Sequence, residues 1–152
     1  VKSVSFLEAD LRALLELNDL RRGGPSPRLP TLEEDFRARF GAHHRLAVYG
    51  SLGPGKSNHG QLAGLEGRWL GGLSVRGHLV QEGWGSGTGY PGLRWSVSGP
   101  LVDVQLFVSP DLPGHWDRLD RFEGEDYSRI LVPLFRDRAV VEVANLYQLS
   151  GP

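Results

Sequence analysis

From Arg45 onward the chain is a succession of short β-type runs with one helix among them, and this arrangement decides the fold class. The runs are Leu46–Tyr49, Leu73–Val80, Leu93–Val97, Leu101–Val108, Ile130–Phe135 and Ala139–Leu149, separated by Gly, Pro and Asn. The helix is expected from Ser109, an N-cap with Pro110 at the first helical position, to about Phe122. A parallel α/β sheet needs a helical crossover between successive strands, and that alternation is missing. The expected class is α+β, a small mixed barrel-like domain with flanking helices. Glycine supports this: 21 of 152 residues is about twice the usual ~7%, and most lie between Gly50 and Gly99, where tight turns use them.

Ahead of the barrel, residues 1–44 are expected to form a helical N-terminal extension, with the main domain at 45–152. Ser5-Phe6-Leu7-Glu8 has capping-box form, and Leu7, Leu11, Leu14 and Leu15 follow at helical spacing up to Arg21, Arg22 and Gly23. Gly24-Pro25-Ser26-Pro27 reads as a loop. A second box, Thr31-Leu32-Glu33-Glu34, starts a helix that places Phe36 and Phe40 four apart and stops at Gly41.

Charge narrows the partners. With 17 Lys+Arg against 18 Asp+Glu the net charge is −1, without the basic excess a nucleic acid or an anionic membrane requires. The apolar runs are too short to span a bilayer, and the start lacks the form of a secretory signal, so the expected compartment is the cytoplasm. The absence of cysteine excludes disulfides and Cys-based metal or nucleophile sites. His43, His44, His59, His78 and His115 show no metal-ligand spacing, and Asp117, Asp120 and Glu123 read as a charged helix face, so neither metal nor cofactor is expected.

Three glycine motifs compete for the functional reading. Gly50-Ser51-Leu52-Gly53-Pro54-Gly55-Lys56-Ser57 satisfies the phosphate-binding pattern G-x-x-x-x-G-K-S/T. That mechanism needs a helix beginning at the Lys-Ser pair, yet Gly60, Gly64 and Gly67 interrupt the following segment, each costing about 1 kcal/mol against Ala in a helix. Gly87-Thr88-Gly89-Tyr90-Pro91-Gly92 fits the dinucleotide pattern, but Pro91 and the strand-like Leu93-Arg94-Trp95 make it a turn. Around Ser51 a nucleophile elbow would need glycine where Tyr49 stands.

Read together, three segments resemble one family. Val48-Tyr49-Gly50-Ser51-Leu52-Gly53-Pro54-Gly55 with Asn58-His59 is similar to the V-Y-G-S/T-L-x-x-G…N-H signature of γ-glutamylcyclotransferase-like (AIG-type) proteins. Gly89-Tyr90-Pro91-Gly92-Leu93 with Val97-Ser98-Gly99 looks like that family's Y-P-A-L/I…V-x-G segment. Leu119-Asp120-Arg121-Phe122-Glu123-Gly124…Tyr127-Ser128-Arg129 matches its L-D-x-F-E-G…Y-x-R segment, and the order and spacing of all three agree.

The resemblance implies a compact β-barrel flanked by helices and an intramolecular reaction. The free α-amine of a γ-glutamyl group attacks its own γ-carbonyl, giving 5-oxoproline and a released amine or amino acid. The ammonium must lose a proton and the leaving nitrogen must gain one, so a carboxylate of raised pKa serves both steps. By resemblance Glu123 is that carboxylate, just beyond the predicted helix. Tyr49, Gly50, Ser51 and Leu52 would hold the substrate through backbone N–H groups, and Tyr127 would contact it. The implied partner is a small γ-glutamyl molecule; oligomeric state is left open.

One departure stands out. Where the family has G-E-L/V-Y/F-x-V/L, this chain reads Gly99-Pro100-Leu101-Val102-Asp103-Val104, so Pro100 replaces an acidic residue at a strand start that tolerates proline. Locally, Glu123 reads as a solvated helix-end charge, and Arg129 as the ion-pair partner of Asp120 or Asp126. Two other functions stay open at this stage: a non-catalytic member of the fold that binds a small ligand or a protein, and a nucleotide binder through Gly50–Ser57.

Overall fold

The structure is a computed structural model that describes residues 5–49, 59–80 and 92–150. In chain order the elements are α1 (Glu8–Arg22), α2 (Arg28–Phe40), β1 (Arg45–Val48), α3 (Gly60–Ala63), β2 (Arg68–Val80), β3 (Gly92–Trp95), β4 (Leu101–Val108), α4 (Trp116–Glu123), β5 (Tyr127–Arg136) and β6 (Ala139–Leu149). The strands run β3-β2-β4-β1-β6-β5, and a further β2–β5 pairing closes five of them into a barrel with β3 attached outside the ring. All pairings are antiparallel except β1 with β6, so the barrel is mixed. This is the expected α+β barrel.

β1 shows how one short run serves both faces. Ala47 joins Leu73, Val75, Leu93, Leu106, Val132 and Leu146 inside the barrel, and Tyr49 packs against the same cluster. Leu46 and Val48 point outward under Trp116 and Leu119 of α4. Both faces are covered, which is why the run is apolar throughout rather than alternating.

The closure between β2 and β5 is slight, a single residue pair, Ser74 with Phe135. Farther along, the outer edge of β5 is covered by a helix. Asn18 of α1 accepts from the Leu131 amide at 2.8 Å and donates to the Leu131 carbonyl at 2.9 Å, and Arg21 donates to the Arg129 carbonyl at 3.3 Å. Side chains three apart on one helix thus satisfy backbone groups that would otherwise be an open sheet edge. Leu14, Leu17, Leu32, Phe36 and Phe40 of the two N-terminal helices complete the junction against Leu131 and Val143.

Several boundaries differ from the sequence reading. α1 begins at Glu8, not behind a Ser5 cap, and Asp10 accepts from the Leu7 amide at 2.9 Å. Its buried face is Asp10, Leu14, Leu17 and Asn18, while Leu7 and Leu15 are exposed: Asp10, which holds Arg39 of α2, and Asn18, which serves the barrel edge, took the place of leucines in the stripe. α2 starts at Arg28, before Thr31, because Pro30 in a first turn loses no intrahelical bond. β2 begins at Arg68 and passes a register shift at Gly71-Gly72, the glycines that concealed its first half. The helix expected from Ser109 to Phe122 is split. Leu112–Gly114 form a 3₁₀ turn, the Ser109 hydroxyl accepts from the Asp111 amide at 3.1 Å, and α4 starts only at Trp116.

Candidate functional site

α4 is eight residues long, and its placement follows from two anchors. Trp116 and Leu119 are buried against the outward face of the barrel, so Asp120 and Glu123, one turn on, lie along the barrel's end. Glu123 is the last helical residue rather than one beyond the helix. Gly124 follows with φ 80° and ψ −173°, a combination that is essentially glycine-only. Its carbonyl accepts from the Tyr127 amide at 3.3 Å, and β5 begins there. The helix end and the turn together set Glu123 beside Tyr127.

Glu123 is far from being a solvated helix-end charge. Burial, with a smaller push from the charge of Asp120, raises its carboxyl from an ordinary 4.5 to about 7. No hydrogen bond from the described residues stabilises its ionised form. Three tyrosines lie within its field. Burial chiefly, and Glu123 in part, raise the phenols of Tyr127 and Tyr49. Tyr147 is raised as well, by burial and by its bond to Asp120 before any effect of Glu123.

The tyrosines have different tasks. The Tyr49 hydroxyl donates to the Tyr147 carbonyl at 2.6 Å and accepts from the Leu93 amide at 3.0 Å. Its one proton is engaged, and it ties the start of β3 to the end of β6. Tyr147 donates to Asp120 Oδ1 at 2.6 Å. Among the described residues the Tyr127 hydroxyl makes no hydrogen bond, which leaves it the phenol open to a ligand next to Glu123. The remainder of the expected binding loop, Gly50, Ser51 and Leu52, lies outside the described residues, as do the phosphate-loop string Gly50–Ser57 and most of Gly83–Gly92. The helix after that string ends at Gly64 after one turn.

Beside the site runs a polar chain that sequence reasoning missed. Arg129 donates to Asp120 at 2.9 Å, so Asp120 and not Asp126 is its partner. It also lies 4.4 Å over the Trp116 ring and donates to Asn145 Oδ1 at 2.9 Å. Arg21 reaches the same Asn145 oxygen at 2.8 Å while holding Glu33 through two bonds of 2.8 Å. Asn145 is buried and donates back to the Ala42 carbonyl at 2.9 Å. The signal was Asn145 itself, a short polar side chain in the middle of the largely apolar run Ala139–Leu149. A cleft of about 580 Å³ exposes this chain to solvent between Arg21, Glu33, Asp120, Tyr127, Arg129 and Tyr147.

A barrel with a buried carboxyl at the end of its helix defines a class that comparison with known proteins makes specific. The sequence profile of the γ-glutamyl cyclotransferase, AIG2-like family matches residues 46–151. The chain belongs to that family. No curated protein matches the sequence. Among solved structures, YkqA from Bacillus subtilis is 20% identical with a TM-score of 0.53, covering 70% of this chain and 36% of its own. The chain thus spans about a third of that protein. c4763 from uropathogenic E. coli is 18% identical, TM-score 0.53, covering 71% and 80%. An AIG2-like protein from Mus musculus is 20% identical, TM-score 0.51, covering 70% and 77%. These likenesses concern the fold. α1 and α2 precede the matched region.

Proposed function

We propose that this protein releases 5-oxoproline from a small γ-glutamyl amine or γ-glutamyl amino acid, with Glu123 moving the protons. As carboxylate, Glu123 takes a proton from the substrate's α-ammonium. The freed amine attacks the γ-carbonyl carbon, a C–N bond forms, and the carbonyl π electrons move to oxygen. When the tetrahedral centre collapses, the carbonyl re-forms, the bond to the leaving nitrogen breaks and Glu123 gives its proton to that nitrogen. The ring nitrogen still carries two protons; Glu123, a carboxylate again, takes one of them and passes it to the released amine, which leaves as an ammonium ion. The carboxylate is restored at the end of each turnover, and no electrons are exchanged.

The observation that carries the reading is the position of Glu123, half-buried at the end of α4 with Asp120 one turn before it and Tyr127 at the start of β5; there burial raises its carboxyl to about 7, the range in which one group can both take and give a proton. Tyr127 presents its hydroxyl to the substrate next to it. Tyr49 acts as a structural tie through its side chain, which limits its part in binding to the backbone.

The test is 5-oxoproline formation from a panel of γ-glutamyl amines and dipeptides. Glu123→Gln is expected to lower turnover about 10²–10⁴-fold, and Lys56→Ala to retain it. Activity undiminished in Glu123→Gln overturns the assignment; ATP binding abolished by Lys56→Ala returns the nucleotide reading.

A further inference from the structure

Five groups form an ordered series from α2 to α4. Glu33 is held by both arms of Arg21, Arg21 and Arg129 converge on the single Oδ1 of Asn145, and Arg129 holds Asp120. Their signs run minus, plus, neutral, plus, minus. The side chains of Arg21 and Arg129 are 13% and 19% exposed, so the centre of the series is shielded from water while its two carboxylates border the cleft; charges at the centre are screened less than at the surface. It ends one helical turn from Glu123, on the same face of α4.

The series crosses the boundary of the family region. Glu33 and Arg21 belong to helices ahead of residue 46, and Asn145, Arg129 and Asp120 lie within 46–151. We infer that α1 and α2 act on the candidate site through this ladder, with Arg21 the positioning residue that keeps Arg129 on Asp120 and so sets the charge that Glu123 meets. The inference rests on the reading of Glu123 as the proton-moving group.

Arg129 has two carboxylates within its field. Burial raises the carboxyl of Glu33, but its bonds and charge attraction to Arg21, with the further fields of Arg129 and Arg37, bring it below the ordinary carboxylate range. Arg21 is what satisfies Glu33. Without Arg21, Glu33 is a half-buried anion one amide away from Arg129, and it draws that guanidinium off Asp120. Asp120 then faces Glu123 with its charge less neutralised. Without Glu33, the positive charge of Arg21 is uncompensated, and Arg129 is pushed toward Asp120. Among the described residues the other titratable groups coupled to Glu123 are Tyr49 just after β1, Tyr127 on β5 and Tyr147 on β6, all neutral across this range.

The experiment follows the side-chain carboxyl carbon of Glu123 by NMR in ¹³C-glutamate-labelled protein, assigned by its loss in Glu123→Gln. Arg21→Met is expected to raise its titration midpoint by about half a pH unit, and Glu33→Met to lower it by about as much. Arg21→Met/Glu33→Met is expected to return the midpoint to within about 0.2 of wild type. Single variants that leave the midpoint unmoved, or a double variant that stays displaced, overturn the inference. If Arg21→Met does not fold, Glu33→Met and the double variant decide alone. The titration needs no turnover: a protein that forms no 5-oxoproline defeats the proposed activity, and the ladder still stands or falls by the midpoint.

Discussion

Tyr147 donates its phenolic proton to Asp120 at 2.6 Å, joining β6 to the face of α4 that carries Glu123. The bond does two things together. It satisfies a hydroxyl whose ring is buried under α4, and with Arg129 it fixes the carboxylate whose charge helps raise Glu123. Tyr147→Phe keeps the ring packing and removes only the donor. The expected loss is about 1–2 kcal/mol, since the acceptor is charged but partly solvated. Urea unfolding at pH 7 measures it, and a change within error assigns Asp120 wholly to Arg129.

The raised carboxyl of Glu123 has a consequence for stability with a definite sign. Its folded value of about 7 exceeds the ordinary 4.5, so between these pH values the folded protein holds more protons than the unfolded chain. The favourable contribution is whole below about pH 4.5 and is lost as pH rises through about 7. Glutamine cannot ionise and escapes the loss. Relative to wild type, Glu123→Gln is therefore expected to be stabilised at pH 8 by roughly 2–3 kcal/mol more than at pH 4.5. Unfolding curves at both pH values check this; a difference independent of pH would mean that Glu123 is solvated.

The same group sets a pH dependence of turnover. Glu123 must be ionised to accept the first proton, so kcat/KM is expected to rise through about pH 7 as it deprotonates. Asp120→Asn removes a neighbouring negative charge and is expected to move that limb to lower pH. A limb that stays in place in Asp120→Asn leaves burial as the whole cause of the shift.

What was legible in the sequence follows the scale of the interaction. The barrel strands are contiguous apolar runs bounded by turn residues, and they were readable because burial on both faces writes itself locally. Glu123 was singled out by its motif and not by its surroundings, since the groups around it, Asp120 on the helix and Tyr127 and Tyr147 on β5 and β6, come from separate elements. Of the ladder from Glu33 to Asp120 only the Arg129–Asp120 pair was legible; the other members are brought together by the docking of α1 on β5. Asn18 and Arg21 look like the solvent face of a leucine helix until the edge of β5 is there to receive them. Ser109 misled in the opposite direction, since a real local cap opened a 3₁₀ turn instead of a helix.

The edge of β5 gives a direct test of that docking. Asn18→Leu keeps the branched shape of the side chain but leaves the Leu131 N–H and C=O without partners in a buried junction. The expected cost is about 2–4 kcal/mol, two unsatisfied backbone groups less the gain from an apolar side chain. Hydrogen exchange at the Leu131 amide should accelerate more than at amides paired within the β5–β6 hairpin. Equal protection at Leu131 in the variant and in wild type would show that another group covers this edge.

Gly124 separates conformational demand from space. A Cβ at Gly124 and one at Gly114 would each meet no atom within 4 Å, so neither substitution is barred by contact. Only Gly124 has a positive φ, 80°, and its ψ of −173° leaves an L side chain strained by about 1–3 kcal/mol. Gly114→Ala is accordingly expected to be nearly neutral. Gly124→Ala is expected to lower stability by about that strain or to relieve it by turning the helix end. Relief by turning the helix end moves Glu123 relative to Tyr127, so turnover should then fall by more than stability alone explains, with the folded fraction held above nine tenths (roughly, for a residual stability of 2 kcal/mol or more). Parallel measurement of 5-oxoproline release and urea unfolding for the two variants checks this. If Gly124→Ala keeps full activity while losing stability, the turn serves the fold alone and the helix end does not aim the carboxyl.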